Sequence, residues 1–217
     1  MRWFMTLVVA LAAGFAGAAL WDASGLGGHS TRSYLLSHPE VLPEAMDVLQ
    51  QREQLARIEP LRGEIETPLP GAVLGNPAGS VTLVEFTDYA CTYCRQSVAD
   101  VRTLVASDPD LKVVIREYPI LSPESVDAAR MALAAAQQGR YAPFHEAMFR
   151  LEAGVDLARA RAAIAAGAFD SHLRGNAQLA AELGISGTPG WVVGDRALNG
   201  AVGREAIGDA IEEARQS

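Results

Sequence analysis

Two cysteines separated by two residues, Cys91 and Cys94, are the only cysteines in this chain, and they stand between two segments of contrasting pattern. The preceding segment, VTLVEF at 81–86, is apolar and β-branched, which indicates a buried strand. The following segment, 97–105, carries apolar residues at helical spacing. Two thiols on the first turn of a helix that follows a buried strand can open and close as a disulfide.

The same pair of cysteines has two other interpretations, a closed structural disulfide and one half of a zinc site. Structural zinc needs four ligands, and a C-x-x-C pair is usually matched by a second pair of Cys or His. The four histidines are instead scattered singly, at His29, His38, His145 and His172. The sequence therefore favours a thioredoxin-like redox site over a metal site, and its motifs indicate no small-molecule cofactor.

We expect the two thiols to play different roles. Cys91 is predicted at the helix N-terminus, where unpaired N–H groups and the helix dipole favour an anionic sulfur, so it is the expected attacking thiolate. Cys94 lies one turn further along and is the expected resolving thiol. Thr92 and Tyr93, which separate them, are expected to influence the redox balance and to contact substrate.

Glu85 is the one acidic residue in the predicted strand, six residues before Cys91. A carboxyl at this position is expected beneath the active-site helix, where it would exchange a proton with Cys94. The alternative is a glutamate at the strand edge that reaches solvent.

A Gly-Thr-Pro sequence precedes the predicted strand 191–193. A proline at this position, Pro189, is a candidate for a cis peptide bond in a tight turn. Such a turn beside the two cysteines would expose the backbone of Thr188 to pair with an extended substrate segment. An ordinary trans-proline turn is the alternative.

Composition limits the class of protein and of partner. The 217 residues can form one hydrophobic core with a smaller added element, and a hydrophobic content of 49% is that of an ordinary globular protein. The net charge of −8 argues against nucleic acid and against anionic membrane surfaces as partners.

Residues 1–20 are predicted to direct export. They hold one arginine, an apolar run without charge from Trp3 to Leu20, and a small-residue sequence around Ala18 that fits a cleavage site. The run is also near the lower length limit for a membrane-spanning helix, so an uncleaved anchor is the alternative. Either interpretation places the rest of the chain outside the cytoplasm, where a dithiol meets oxidising conditions.

Residues 21–58 are predicted as a helical extension. A flexible spacer is expected over 21–32, an N-cap at Ser37, and a helix to about Ile58 that is kinked or restarted at Pro43. Its thin apolar seam would pack on the domain or on copies of the chain; the seam is formed by Leu35, Leu42, Met46, Leu49 and Ala56.

The remaining chain is predicted as a proline-rich linker at 59–68 and a compact domain at 69–217. Strands are expected near 72–74, 81–86, 111–118, 191–193 and 198. Between the third and fourth strands lies an Ala-rich helical block, about 123–183, with helices expected near 128–136, 144–151, 157–166 and 176–183. This order indicates an α/β sheet with a helical insertion.

Three motifs of the domain resemble the DsbA family of thioredoxin-fold proteins: VEFTDYACTYC at 84–94, REYPIL at 116–121 and LGISGTP at 183–189. Upstream, YLLSHPEVLPEAM at 34–46 resembles the N-terminal helical extension of the suppressor-of-copper-sensitivity C (ScsC) type. Some relatives of that type form trimers through this extension.

The resemblance implies a periplasmic thiol-disulfide oxidoreductase with Cys91 as nucleophile, Cys94 as resolving thiol, Glu85 as buried acid and Pro189 as the cis-proline. Isomerase or reductase activity is expected, with self-association through 34–58. Its expected partners are proteins with thiols or disulfides and a membrane redox partner. A monomeric disulfide oxidase is the alternative in the same class. In another class the alternatives are a periplasmic holdase and a Cu(I)-binding protein, the latter disfavoured by the cis-proline.

Overall fold

The N-terminal part of the chain is helical. The computed structural model describes residues 2–23, 26–150, 167 and 169–216, and the chain divides into two compact units, 1–50 and 51–217. The first helices are α1 (Arg2–Ala23), α2 (Leu26–Ser37) and α3 (Val41–Ile58). Among the described residues, Trp3–Trp21 of α1 is the one stretch long and apolar enough to cross a membrane, and a signal sequence meets the same criteria.

Two details of the predicted extension are wrong. The expected flexible spacer over 21–32 is largely helical, because α1 runs to Ala23 and α2 begins at Leu26. Ser37 is the last residue of α2 and not an N-cap: its hydroxyl lies 2.8 Å from the Ser33 carbonyl and 2.9 Å from the Tyr34 carbonyl. A serine hydroxyl readily binds a carbonyl one turn back, and this bond competes with capping.

The helix restart predicted near Pro43 is confirmed. Helix α3 begins at Val41, so Pro43 lies in its first turn, where backbone N–H groups have no partner within the helix and a proline removes no hydrogen bond. Because the break falls between Ser37 and Val41, Leu35 belongs to α2 and not to the seam of α3. Within the first unit, that seam consists of Leu42, Met46 and Leu49, all exposed.

The linker predicted at 59–68 is also wrong, because most of this segment is helical and packs onto the domain. A 3₁₀ turn covers Glu59–Leu61, and helix α4 covers Arg62–Glu66. Ile58 and Ile65, on either side of that turn, are buried in one hydrophobic cluster with residues of the sheet. Burial of two isoleucine side chains fixes a segment whose prolines and glycines suggested a spacer.

The sheet of the second unit has five strands in the part of the chain that the structure describes, in the order β1-β3-β2-β4-β5. Strand β3 runs parallel to β2, and the other neighbours are antiparallel. The strands are β1 (Val73–Gly75), β2 (Val81–Thr87), β3 (Leu111–Glu117), β4 (Gly190–Val193) and β5 (Arg196–Asn199). They lie close to the five predicted positions.

The helices of this unit follow the predicted order, with one after β2, a block after β3 and one after β5. They are α5 (Thr92–Ser107), α6 (Pro123–Gln137), α7 (Tyr141–Arg150), α8 (Asp170–Glu182) and α9 (Gly203–Gln216). Helices α6 to α8 lie between β3 and β4, which confirms an α/β sheet with a helical insertion. The helix predicted at 157–166 lies outside the described residues.

The two faces of the sheet build two separate parts of the core. Leu83, Val113 and Ile115 belong to a cluster with Val101 of α5 and Ile207 of α9. The intervening strand residues point the other way, because side chains alternate along a strand; they belong to a second cluster with residues of α8, Ile58 and Ile65. The pair of cysteines lies on the α5 side.

Arg116 ties the segment before the domain to the second face of the sheet. Its guanidinium, which is buried, donates to the carbonyl oxygens of Ile65 (3.1 Å), Thr67 (2.7 Å) and Glu64, and to Oδ1 of Asn176 (3.1 Å). Burial lowers the pKa of Arg116, and the nearby Glu64 carboxyl opposes this effect. One side chain of β3 therefore donates hydrogen bonds both to the carbonyl groups at the end of α4 and to a side chain of α8.

We expect Arg116→Met to lower the free energy of unfolding by roughly 3 kcal/mol, because it leaves buried carbonyl groups without donors. The matched control is Arg196→Ala, which removes an exposed ion pair with Glu213 and should cost less than about 1 kcal/mol. Urea unfolding of both variants measures the difference. Equal losses in the two variants would show that Arg116 does not anchor this segment.

Candidate active site

The two cysteines occupy the N-terminus of α5. Cys91 is the N-cap residue, and the backbone N–H of Cys94 donates to Cys91 Sγ at 3.4 Å. Both side chains are buried and both thiols are free. Unpaired N–H groups and the helix dipole at this position favour negative charge on the Cys91 sulfur.

The Thr188–Pro189 peptide bond is cis, as predicted, and it lies against Cys91. The Cys91 thiol donates to the carbonyl oxygen of Thr188 at 3.2 Å. Next along the loop, the Pro189 carbonyl accepts from the Gly200 N–H at 2.8 Å, which ties the loop to the chain after β5. The structure thus brings together the two motifs that the sequence places almost one hundred residues apart.

Asp88 shapes the turn before Cys91, a role that its place in the motif at 84–94 did not predict. One carboxyl oxygen accepts from the Ala90 N–H at 2.8 Å, and the other accepts from Ile120 at 2.9 Å and Leu121 at 3.0 Å. The Asp88 carbonyl accepts from the Cys91 N–H at 3.0 Å. An aspartate that binds the backbone two residues on is a known turn signal, but its bonds to 120–121 are long-range.

Glu85 lies beneath the active-site helix, and the alternative of a solvent-facing edge residue is wrong. Its strand β2 is central in the described sheet, and Glu85 is 2% exposed. The Ser97 hydroxyl lies 2.9 Å from Glu85 Oε1 and 2.8 Å from the Cys94 carbonyl oxygen. Ser97, on the next turn of α5, thus connects the carboxyl to the backbone of Cys94.

Burial governs the ionisation of both groups in this pair. It raises the pKa of Glu85 to about 8, against a smaller opposing effect of the Ser97 hydrogen bond. Burial also raises the pKa of Cys94 to about 12, and the negative charge of Glu85 acts in the same direction. Two neighbouring groups that both resist ionisation are suited to passing one proton between them.

Tyr93 and Thr92 are exposed at the start of α5. Tyr93 is 60% exposed, and Ile120 and Leu121, whose N–H groups bind Asp88, are exposed as well. The Asp88 turn, which precedes the buried Cys91, is therefore bonded to a segment that exposes two large apolar side chains.

A second buried polar cluster, which was not predicted from the sequence, is centred on Glu117. Glu117 Oε1 accepts from the hydroxyls of Tyr141 (2.6 Å) and Tyr89 (3.0 Å), and the Tyr89 oxygen lies 3.1 Å from His145 Nδ1. Burial raises the pKa of Glu117 to about 8 and lowers that of His145 to about 4. The motif REYPIL contains Glu117, but no local signal marked it as buried.

In the described part of the chain, no group of three or more His, Cys, Asp or Glu side chains is arranged to hold a metal ion.

Glu85→Gln tests the burial of this carboxyl through the pH dependence of stability. The pKa of Glu85 is about 8 in the folded protein, against an ordinary value of 4.5. The folded state therefore holds this proton more tightly, so it loses stability as pH rises from 4.5 to 8. We expect the substitution to raise the free energy of unfolding by on the order of 3 kcal/mol above pH 8 and to leave it unchanged near pH 4. Urea unfolding across this range measures it, and an equal gain at every pH would contradict the assignment.

The fold is shared with solved structures. A thioredoxin-like oxidoreductase from Silicibacter pomeroyi DSS-3 is 40% identical, with a TM-score of 0.64, over 67% of this chain and 92% of that chain. A periplasmic thioredoxin-like protein from Salmonella enterica serovar Typhimurium is 28% identical, with a TM-score of 0.62, over 72% of this chain and 97% of that chain.

Curated relatives are longer. The chain is 30% identical over 158 residues to a Na(+)/H(+) antiporter, NhaA 3, of Salinispora tropica, and the match covers 65% of this chain and 24% of the antiporter. The chain thus spans about a quarter of the length of this antiporter and of two further NhaA antiporters that it matches.

Family models divide the chain between the domain and the extension. A model described as "Thioredoxin" matches residues 68–213, and one described as "Copper resistance protein ScsC N-terminal domain" matches residues 32–56. The predicted resemblance to DsbA-like proteins of the ScsC type is therefore confirmed. Because the thioredoxin model matches most of the chain, the chain belongs to the thioredoxin family.

Proposed function

We propose that the protein is an exported thiol-disulfide oxidoreductase that exchanges disulfides with protein substrates through Cys91 and Cys94. The observation that carries the proposal is the position of Cys91, at a helix N-terminus and 3.2 Å from the carbonyl of Thr188, which precedes cis-Pro189. The redox group is the Cys91–Cys94 pair itself, with no added cofactor.

The reaction follows from the order of the two sulfurs. The Cys91 thiolate attacks a substrate disulfide, forms a mixed disulfide and expels one substrate thiolate. Cys94 then loses its proton and attacks the Cys91 sulfur, which releases the second substrate thiolate and leaves the Cys91–Cys94 disulfide. The substrate gains two electrons, and the reverse sequence oxidises a substrate. Glu85 takes the proton of Cys94 in one direction and returns it in the other.

The substrate is expected to lie across the Thr188–Pro189 loop. When the Cys91 thiol is ionised or disulfide-bonded it no longer donates to the Thr188 carbonyl, and that acceptor becomes available to the backbone of an extended segment. Thr92 and Tyr93 line the exposed side of the same site. Main-chain pairing of this kind suits many different protein substrates, because it does not depend on their side chains.

The extension favours isomerase or reductase activity over simple oxidation. Leu42, Met46 and Leu49 recur at i, i+4 and i+7 on α3 and are all exposed, which is the pattern of a seam that meets copies of itself. A trimer formed through 34–58 would place several dithiols around one substrate. A monomeric oxidase is the alternative in the same class.

Export to the periplasm is supported by α1 and by the relatives. Its span Trp3–Trp21 is apolar and lies at the N-terminus, and one solved relative is described as periplasmic. We expect a cleaved signal, with an uncleaved anchor as the alternative. A membrane redox partner would restore the oxidation state of the Cys91–Cys94 pair.

Trapping tests the assignment of the two thiols. Cys94→Ala is expected to accumulate mixed disulfides with substrate proteins, because the resolving attack is lost, whereas Cys91→Ala should form none. Non-reducing gel electrophoresis followed by mass spectrometry measures both. A Cys91→Ala protein that still suppresses aggregation of unfolded clients, or that retains bound copper, would favour the holdase or Cu(I)-binding alternatives.

Substitution of the seam tests the isomerase hypothesis. We expect Leu42→Gln with Met46→Gln to abolish self-association and to reduce the recovery of scrambled ribonuclease by at least about tenfold. The matched control is Glu44→Gln with Gln51→Ala, on the opposite face of α3. Light scattering gives the oligomeric state, and ribonuclease activity gives the recovery.

Two outcomes would contradict the isomerase hypothesis. The first is equal recovery by the seam variant and the control. The second is feeble recovery by every form together with rapid oxidation of a reduced substrate, which would leave a simple oxidase. Whole-chain variants are preferable to a truncation at Leu69, because residues 58–67 are part of the folded domain.

A further inference from the structure

Glu117 lies on the same face of the sheet as Glu85. In the parallel pairing of β2 with β3, Glu85 is opposite Ile115 and Thr87 is opposite Glu117. Strand residues two apart point to the same side, so both carboxyls face the side of the sheet that carries α5. Neighbouring strands lie about 4.8 Å apart and residues two apart on a strand about 6.6 Å, so the Cα atoms of the two glutamates are about 8 Å apart. The negative charge of Glu85 acts to raise the pKa of Glu117, because charges at that distance interact where water is excluded.

Hydrogen bonds hold Glu117 in this position. The Tyr89 and Tyr141 hydroxyls both donate to Oε1, whereas the buried Oε2 has no partner among the described residues. While Glu117 is ionised, Tyr89 gives its single hydroxyl hydrogen to the carboxylate, and His145 Nδ1 is then the donor toward the Tyr89 oxygen. The ionised carboxyl therefore has two hydroxyl donors at Oε1, and the same hydroxyl oxygens can accept the proton of its neutral form.

The groups that face Glu117 come from four elements. Glu85 projects from β2, Asp88 and Tyr89 belong to the turn after it, and Tyr141 and His145 belong to α7; Cys94 of α5 lies in the same core cluster. Arg116, next to Glu117 in the chain, binds carbonyl groups at the opposite face. The described side-chain hydrogen bonds of Glu117 thus come from tyrosine hydroxyls, and the charges that raise its pKa are those of Asp88 and Glu85.

We propose that Glu117 is a positioning residue for proton transfer at Cys94 and that it acts through Glu85, because the two carboxyls together hold no more than one negative charge at a time. The inference rests on the proposed function. Glu117 contacts neither sulfur, and its effect is electrostatic.

Protons and electrons balance in each direction of this transfer. When a substrate thiolate attacks Cys91 and the Cys91–Cys94 bond breaks, Cys94 leaves with the electron pair and takes a proton from Glu85. Glu85 then carries the negative charge, which is tolerated while Glu117 keeps its own proton. In the reverse direction the Cys94 thiol returns its proton to Glu85, and the Cys94 thiolate attacks the mixed disulfide at Cys91 and releases the substrate thiolate.

Carboxyl ¹³C NMR of the full chain in detergent, labelled at glutamate Cδ, tests the coupling directly. The Glu85 signal is assigned by its loss in Glu85→Gln. In the wild-type protein we expect this signal to titrate in two overlapping steps, because coupled acids share their titrations. In Glu117→Gln, whose amide oxygen still accepts from both tyrosines, we expect one steeper step with a midpoint lower by about 0.5 to 1 unit. An unchanged Glu85 titration in Glu117→Gln would overturn the proposal.

Two further variants separate charge from packing. Tyr141→Phe removes one donor to Glu117, which favours its neutral form, and should move the Glu85 titration in the same direction by a smaller amount. Phe149→Leu alters a ring packed on Tyr89 and His145 without changing any charge, and should leave the titration as in the wild type. A shift in Phe149→Leu as large as that in Glu117→Gln would show that packing is the cause and would overturn the proposal.

The titration does not depend on catalysis, so the two proposals fail separately. Absence of mixed disulfides in Cys94→Ala, with coupling intact, would remove the proposed function. Mixed disulfides in Cys94→Ala, with a single-step Glu85 titration in the wild type, would overturn the role of Glu117 alone. The pH–rate profile for reduction of the Cys91–Cys94 disulfide gives a second reading: its midpoint should fall in Glu117→Gln, whereas a merely structural role would lower the rate equally at every pH.

Discussion

The parallel pairing of β2 with β3 is the constraint on which the rest of the structure depends. It sets Glu85 and Glu117 on one face and Arg116 on the other, so neighbouring residues of β3 serve opposite sides of the molecule. On one side the acids face α5, the helix that carries the thiols. On the other side Arg116 binds the carbonyls of the segment before the domain. A slip of one residue in this register would exchange the two sets of contacts.

The active site is polar in content but apolar in environment. Glu85 and Glu117 are buried with few donors, and water is largely excluded by the clusters around them. Removing charged groups from water opposes ionisation of each, so negative charge in this region is limited to what the α5 N-terminus and a few hydroxyls stabilise. Cys91, at that N-terminus, is the position in the site where the surrounding dipoles favour an anion.

The sequence alone was sufficient to predict the features that are specified within one short motif. The C-x-x-C pair, the buried strand before it and the proline after Gly187 each lie within one short motif, and the structure places them together. The burial of Glu85 was predictable because a single acid within an apolar core strand is carried into the interior with its neighbours. The strand positions and the helical insertion followed from changes of periodicity.

Features that depend on long-range contacts could not be predicted. Glu117 meets Tyr89 and Tyr141 through the strand register and the docking of α7, neither of which a single sequence specifies. The segment 59–68 has the composition of a linker, and only its packing against the sheet makes it helical. The predicted N-cap at Ser37 was wrong for a local reason, because its hydroxyl binds the carbonyl groups one turn earlier in α2.

Trp191 gives the site an optical reporter. It is fully buried in β4, directly across the antiparallel pairing from Glu85, and its indole N–H donates to the Gly200 carbonyl at 3.0 Å. The other two tryptophans, Trp3 and Trp21, lie in the exposed helix α1. Because Trp191 is paired with Glu85 across the strands, we expect its fluorescence to change when Glu85 gains or loses its proton, without any added label.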